Sequence, residues 1–104
     1  MKSNDEPMTE AMYYVLLALI TPNYGYKLIS IINELSNDRI NMGAGTIYGI
    51  LTRLLKENLI NILSDDGRRK TYELTESGRI ILFGEYQRIK TLVNDGKIIE
   101  GGIL

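Results

Sequence analysis

Arg68-Arg69-Lys70 follows directly on Asp66-Gly67, so three cations stand in a row beside a turn signal. Upstream, Thr46, Gly49, Thr52, Arg53 and Lys56 fall together on one side of a helix when each residue is advanced by about 100°. These groups are hydrogen-bond donors and point charges, suited to holding anionic oxygen rather than to making bonds. The chain has no Cys and no His. That removes thiol nucleophiles, disulfides, Cys/His zinc sites and Ser-His-Asp triads together. Its carboxylates form no cluster suited to a metal. No metal, cofactor or enzymatic reaction is therefore expected.

The stretch that carries the first group reads GTIYGILTRLLKENLI over residues 45–60. With Ile47 taken as zero, Leu51, Leu54, Leu55 and Asn58 cluster within about 80° of it. Thr46, Gly49, Thr52, Arg53 and Lys56 lie opposite, and Tyr48 lies at the border. The threonine hydroxyls are short enough to reach phosphates or base edges. Gly49 removes a side chain where a duplex would come close, and Arg53 and Lys56 can neutralise phosphates. The plainer reading is the solvated polar face that any amphipathic helix has. For the three cations the plainer reading is an edge hairpin kept soluble by charge. Asp65 and Asp66 stand at the same tip and would face the same phosphates. The seven tyrosines Tyr13, Tyr14, Tyr24, Tyr26, Tyr48, Tyr72 and Tyr86 read as packing, except Tyr48, whose border position lets its hydroxyl reach a phosphate.

Several elements must position these groups. Residues 9–20, TEAMYYVLLALI, predict a first helix capped by Thr9 and apolar nearly all round, as a central helix is. Thr21-Pro22-Asn23 breaks it. Residues 26–35 predict a second helix, with Leu28, Ile31, Ile32 and Leu35 on one face, ended by Ser36-Asn37-Asp38. Ile40-Asn41-Met42 reads as a brief strand before the third helix, which Asn58 stops in a left-handed conformation. Residues 60–64 and 71–74 are β-like, joined by a hairpin whose central Asp66 and Gly67 both suit positive φ. Thr75 caps a last helix over about 76–94. There Leu82, Tyr86, Ile89 and Val93 step by four, three and four, a heptad-like seam. Ile81, Phe83 and Leu92 widen it beyond what one neighbouring element covers. The glycine-containing tail from Asn94 is expected to fray.

The fold class expected is mainly α with a small β-hairpin wing. A winged helix-turn-helix domain would occupy residues 1–74, and a C-terminal dimerisation helix with a flexible tail residues 75–104. The third helix of such a unit is offered to the major groove and the hairpin to the flanking backbone. The 104 residues bury a modest core, so surface borrowed from a second copy is expected. No apolar run approaches ~20 residues, and MKSNDEPM lacks a basic-then-apolar signal pattern, so no membrane contact and a cytoplasmic location are expected. Net charge is −1, but residues 24–74 carry seven basic and six acidic groups, so the small basic excess sits in the middle.

Taken together these residues carry a resemblance. The chain resembles the PadR-like family of bacterial winged-helix regulators, named for repression of phenolic acid decarboxylase. The likeness runs from about Met12 to Gly102. Its most specific pieces are Tyr24-Gly25-Tyr26, Gly45-Thr46-Ile47-Tyr48 with Leu51, Arg53 and Leu54, Leu59-Ile60, and Gly67-Arg68-Arg69-Lys70 through Tyr72, Leu74 and Thr75 to Gly78. Asn58 stands where the family usually has Gly, and Thr71 where a second tyrosine often follows the basic run. The resemblance implies a homodimeric transcription factor, usually a repressor, with a C-terminal dimerisation helix. The length matches the short branch, which has one such helix. The family senses varied small molecules, so a small aromatic or apolar effector belongs to the expectation.

The expected DNA-binding set is Gly45, Thr46, Tyr48, Gly49, Thr52, Arg53, Lys56, Arg68, Arg69 and Lys70. The expected dimer seam is Leu82, Tyr86, Ile89 and Val93. Two copies would present their third helices about 34 Å apart to a pseudo-palindromic operator in duplex DNA. The alternative from another class is a winged-helix protein-interaction module without DNA binding, which the acidic pI of about 5.4 favours.

Overall fold

A computed structural model describes residues 8–102 of the chain. The readings made on residues 1–7 and on the last two residues lie outside the described residues. The first helix, α1 (Glu10–Ala18), starts at Thr9, whose hydroxyl accepts the Met12 N–H at 3.1 Å. Val15, Leu16 and Leu19 are fully buried, as the nearly all-apolar segment requires. Helix α2 (Gly25–Leu35) crosses α1 and buries Leu28 and Ile32. Leu35, expected on the same buried face, is 52% exposed instead. It is the last residue of α2 and overshoots the core just before Asn37 and Asp38 turn the chain at φ 53° and 65°.

Helix α3 (Ala44–Lys56) follows, with Ile47, Leu51 and Leu54 buried. Asn58 is exposed and adopts φ 61°, so it ends the helix rather than joining its apolar side. No strand forms at residues 40–42. The third strand is β1 (Asn23–Tyr24), in the break between α1 and α2. It pairs antiparallel with β3 (Lys70–Leu74), which also pairs with β2 (Ile60–Asp65), giving the order β1-β3-β2. Two residues are too few to show a period-two pattern, and their partner is almost fifty positions away, so this strand has no local signature. A bulge at Leu63, between the pairs Ile62↔Tyr72 and Ser64↔Thr71, twists the free edge of β2.

Helix α4 (Glu76–Asp95) begins at Thr75, whose hydroxyl accepts the Gly78 N–H at 2.9 Å and donates to the Asn58 carbonyl at 2.8 Å. A Cβ on Gly78 would lie 2.0 Å from the Leu59 carbonyl oxygen. Helix and strand junction therefore touch backbone to backbone. Beyond Asp95 the chain continues as a 3₁₀ helix, Gly96–Gly101. The glycines do not break the chain's coil, and only Gly102 takes positive φ there. The molecule measures 56 × 34 × 21 Å with a radius of gyration of 15.5 Å. A compact chain of this length has about 13 Å. The excess is α4, whose last turns project away from the core.

Candidate nucleic-acid interface

Helix α3 is held by three buried side chains and turns Thr46, Gly49, Thr52 and Lys56 to solvent, as the periodicity predicts. Gly43 caps it without a side-chain bond, and a Cβ built on Gly45 or Gly49 would meet no other part of the fold within 4 Å. The helix can thus be approached closely along this side. The Thr52 hydroxyl donates to the Tyr48 carbonyl at 2.8 Å. Its oxygen remains free to accept, and its methyl to make apolar contact, but its proton is already used. Arg53 is half-exposed and pairs with Glu57 at 2.9 Å, one helical turn on. A phosphate contact by Arg53 would therefore share its guanidinium with Glu57.

The wing is a four-residue loop, residues 66–69, closed by the pair Asp65↔Lys70. Only Gly67 adopts positive φ, at 90°, so Asp66 does not play the backbone role expected of it. Its carboxylate shapes the turn instead. It accepts the N–H groups of Arg68 and Arg69 at 3.0 and 2.9 Å, while Asp65 accepts that of Gly67 at 2.9 Å. Those backbone bonds, chiefly from Arg68 and then Arg69, hold the Asp66 carboxyl below the usual range. Both acids that shared the tip with the cations are thereby folded into the turn. The Asp-Asp-Gly run is itself a local signal for such side-chain-to-backbone bonding.

Between α3 and the wing lies an open cleft of about 590 Å³. Arg68, Arg69 and Lys70 line it from one side and Tyr48 and Thr52 from the other, with Tyr24 and Tyr26 between. Tyr48 and Thr52 of α3 and the three wing cations, at least sixteen positions apart in sequence, therefore share one concave surface. Tyr72 closes its floor and is buried; burial first, then Tyr48 and Asp65, pushes its phenol up. Two of the tyrosines read as plain packing do more than that. The Tyr24 ring lies 4.2 Å beneath the Arg69 guanidinium carbon, and Tyr26 is 68% exposed at the rim. The Tyr24–Arg69 contact depends on β1 meeting β3, a pairing with no sequence signal.

Elsewhere, Arg39 ties the turn before α3 to α1, bonding Glu10 at 2.8 Å and the Tyr14 hydroxyl at 3.0 Å. On α4, Leu82 packs within its own protomer. Ile89 is half-buried and lines a recess at the start of α1 with Met8 and Tyr13. Tyr86 and Val93 are exposed, as are Ile81, Phe83 and Leu92. Among the described residues no group of three or more carboxylates could hold a metal, and no helix is long and apolar enough to cross a membrane.

The geometry of α3 and the wing is matched by likeness to known proteins. The family model described as "Transcriptional regulator PadR-like family" matches residues 15–82, from α1 into α4. The structure is similar to Bacillus subtilis PadR in complex with operator DNA, with a TM-score of 0.67 and 27% identity, covering 78% of this chain and 48% of that one. It is similar to a PadR-like transcription factor of Bacteroides fragilis, with a TM-score of 0.71 and 28% identity, covering 86% of this chain and 88% of that one. In sequence it is 33% identical, over 104 residues, to a 37.1 kDa protein in a Streptomyces fradiae transposon, covering 99% of this chain but 28% of that protein. The chain thus spans about a quarter of the transposon protein and about half of the B. subtilis regulator. The matched stretch runs through the α3 surface and the wing that face each other across the cleft, and the chain belongs to the PadR-like family of transcriptional regulators, a family of winged-helix DNA-binding proteins rather than enzymes.

Proposed function

We propose that this protein is a homodimeric, sequence-specific repressor acting on duplex DNA in the cytoplasm. The observation that carries the reading is the shared cleft: Tyr48 and Thr52 of α3 face a wing bearing Arg68, Arg69 and Lys70, and Thr46, Gly49 and Lys56 are exposed on the same helix. In this reading α3 enters the major groove and the wing lies along the adjoining backbone. The B. subtilis PadR was solved on operator DNA, and its likeness to this chain supports the reading. A second copy covers the apolar distal face of α4 and places two α3 helices about 34 Å apart on a pseudo-palindromic operator. Bound protein blocks polymerase. A small aromatic or apolar effector that changes the angle between the two α4 helices changes that spacing and releases the DNA.

The test is selection of bound sequences from random duplex DNA by the purified protein, followed by a salt series on the selected site. Enrichment of a two-fold-related motif is expected. Affinity should fall linearly in log salt. Replacing Arg68, Arg69 and Lys70 by Ala should weaken specific and random duplexes alike, and should lower the salt slope by about 0.9 for each phosphate that is no longer neutralised. No enrichment at low salt would sink the DNA reading and leave the protein-interaction module, whose apolar interface has no such salt dependence.

A further inference from the structure

The Tyr24-Gly25 step, where β1 passes into α2, touches one side chain from each of the two elements facing the cleft. The Tyr24 ring seats the guanidinium of Arg69, from the wing, at 4.2 Å. Gly25 is buried, and a Cβ built there would lie 2.8 Å from Cε1 and Oη of Tyr48, from α3. The Tyr48 ring therefore rests against a bare Cα. Arg68 and Lys70 have no comparable support among the described residues. The backbone of the step is itself pinned, since Tyr24 pairs with Thr71 and Asn23 with Tyr72 in β3. The strand that carries Tyr24 is thus hydrogen-bonded to β3, which starts at Lys70 directly after Arg69.

We propose that Tyr24 and Gly25 are positioning residues for DNA binding: Tyr24 pre-orients the wing's Arg69, and Gly25 leaves the space in which Tyr48 of α3 is pre-oriented. The proposal rests on the DNA reading given above. A free arginine loses much of its side-chain freedom when it meets a phosphate, about as much as any side chain does. An arginine already stacked on a ring has lost most of it beforehand, so binding costs less. A stack needs a planar cation and an aromatic face, but not the phenol hydroxyl. At Gly25 the group an added methyl would strike is the far end of the Tyr48 side chain, not backbone. The ring swings away and the fold survives.

These requirements make the inference testable on the intact protein. Affinity for the selected operator duplex is measured by fluorescence anisotropy, with thermal melts to confirm folding of each variant. Tyr24→Phe should bind as the parent does. Tyr24→Leu should weaken binding by about two- to fivefold, the worth of an exposed cation–π contact. That loss should vanish in an Arg69→Ala background. Arg69→Lys, on an exposed residue that does not threaten the fold, should cost about as much as Tyr24→Leu, and should cost nothing further once Tyr24 is Leu. Gly25→Ala should weaken binding in the parent and have no effect in a Tyr48→Ala background. If the parent binds duplex and Arg69→Ala weakens it, but Tyr24→Leu costs nothing or costs the same without Arg69, positioning by Tyr24 is overturned. A Gly25→Ala loss that persists without Tyr48 overturns the other half. If Arg69→Ala itself has no effect, there is nothing for Tyr24 to position and the inference fails. A parent that binds no duplex at any salt overturns the DNA reading, and the inference with it.

Discussion

The cleft between α3 and the wing and the distal half of α4 are both open to water, but in opposite ways. Around the cleft the exposed side chains are hydroxyls, cations, tyrosine edges and the Asp65 carboxylate, and several already have partners: Thr52 on the Tyr48 carbonyl, Asp65 on the Gly67 N–H, Arg69 on Tyr24. Such a surface is stable in solvent and can meet a charged polymer and leave it again. On distal α4 the exposed groups include Tyr86 at 46%, Leu92 at 55% and Val93 at 59%. Nothing among the described residues covers them. Polar exposure needs no explanation, whereas a continuous apolar stripe on a small protein needs lasting cover. In the reading proposed above, one region serves exchange and the other a standing partner, and the same helix, α4, roots the second region in the core of the first.

The most severe test of this contrast is to charge the stripe. Val93→Glu puts a carboxylate on a side chain that is exposed in the protomer, so folding should be spared. Ile89→Glu, on a half-buried residue, tests the same seam with some added cost to the fold. In a dimer either change removes apolar burial worth about 1.5–3 kcal/mol per side chain and adds a buried ion. Monomers are expected by light scattering. Operator affinity should fall by roughly 10²–10⁴-fold, the usual gain from linking two sites. A Val93→Glu protein that stays dimeric and binds normally would show that distal α4 is covered otherwise.

Two glycines carry the contrast into the fold. Gly78 roots α4 against the Leu59 carbonyl, and Gly49 lies open on the α3 surface. Alanine is favoured over glycine in a helix by about 1 kcal/mol, so propensity alone predicts a gain at both. At Gly78 the added methyl meets backbone at 2.0 Å, and the clash wins. Gly78→Ala should lose at least ~1–3 kcal/mol, as overpacked sites do. Gly49→Ala meets nothing and should gain up to ~1 kcal/mol while weakening operator binding, because the duplex can no longer come as close. Urea unfolding of the two variants gives the signs. A neutral Gly78→Ala would mean that the α4–β2 junction yields easily and does not fix α4.

Much of the fold was legible because its signals are local. Thr9 and Thr75 start their helices as caps, Asn58 stops α3 with positive φ, and the buried Ile47, Leu51 and Leu54 follow directly from a 3.6-residue period. What escaped depends on contacts between distant segments. Strand β1 exists only because Asn23 and Tyr24 meet Tyr72 and Thr71. Leu35 obeys the period yet lies beyond the end of the core, which periodicity does not measure. The candidate site divides the same way. The polar side of α3 and the wing cations were readable, whereas the support of Arg69 by Tyr24 and of Tyr48 by Gly25 needed the fold. The Glu57 partner of Arg53 was within reach, since an i,i+4 spacing of opposite charges on a helix is a local signal.

The smallest effect expected concerns the wing's own acid. Asp66 acts in two ways that a pair of substitutions separates. Its oxygen accepts two backbone N–H groups and shapes the turn, while its charge sits beside Arg68 and Arg69 and opposes phosphate. Asp66→Asn keeps an acceptor and loses the charge, so affinity for every duplex should rise, by roughly two- to fivefold on the scale of an exposed charge contact. Asp66→Ala loses both and should bind less tightly than Asp66→Asn, because the turn that presents Arg68 and Arg69 is no longer held. The pH dependence has a fixed sign. The folded carboxyl lies below its ordinary value of 3.8, so its contribution to the turn is complete above that value and is lost only as pH falls through the lower, folded one. Between pH 5 and 8 the wing should therefore show no Asp66-linked change, and amide exchange at Arg68 and Arg69 should accelerate, beyond its intrinsic pH trend, only in stronger acid. Equal affinity of the Asn and Ala variants would show that the charge alone matters and that the turn holds its shape without the side chain.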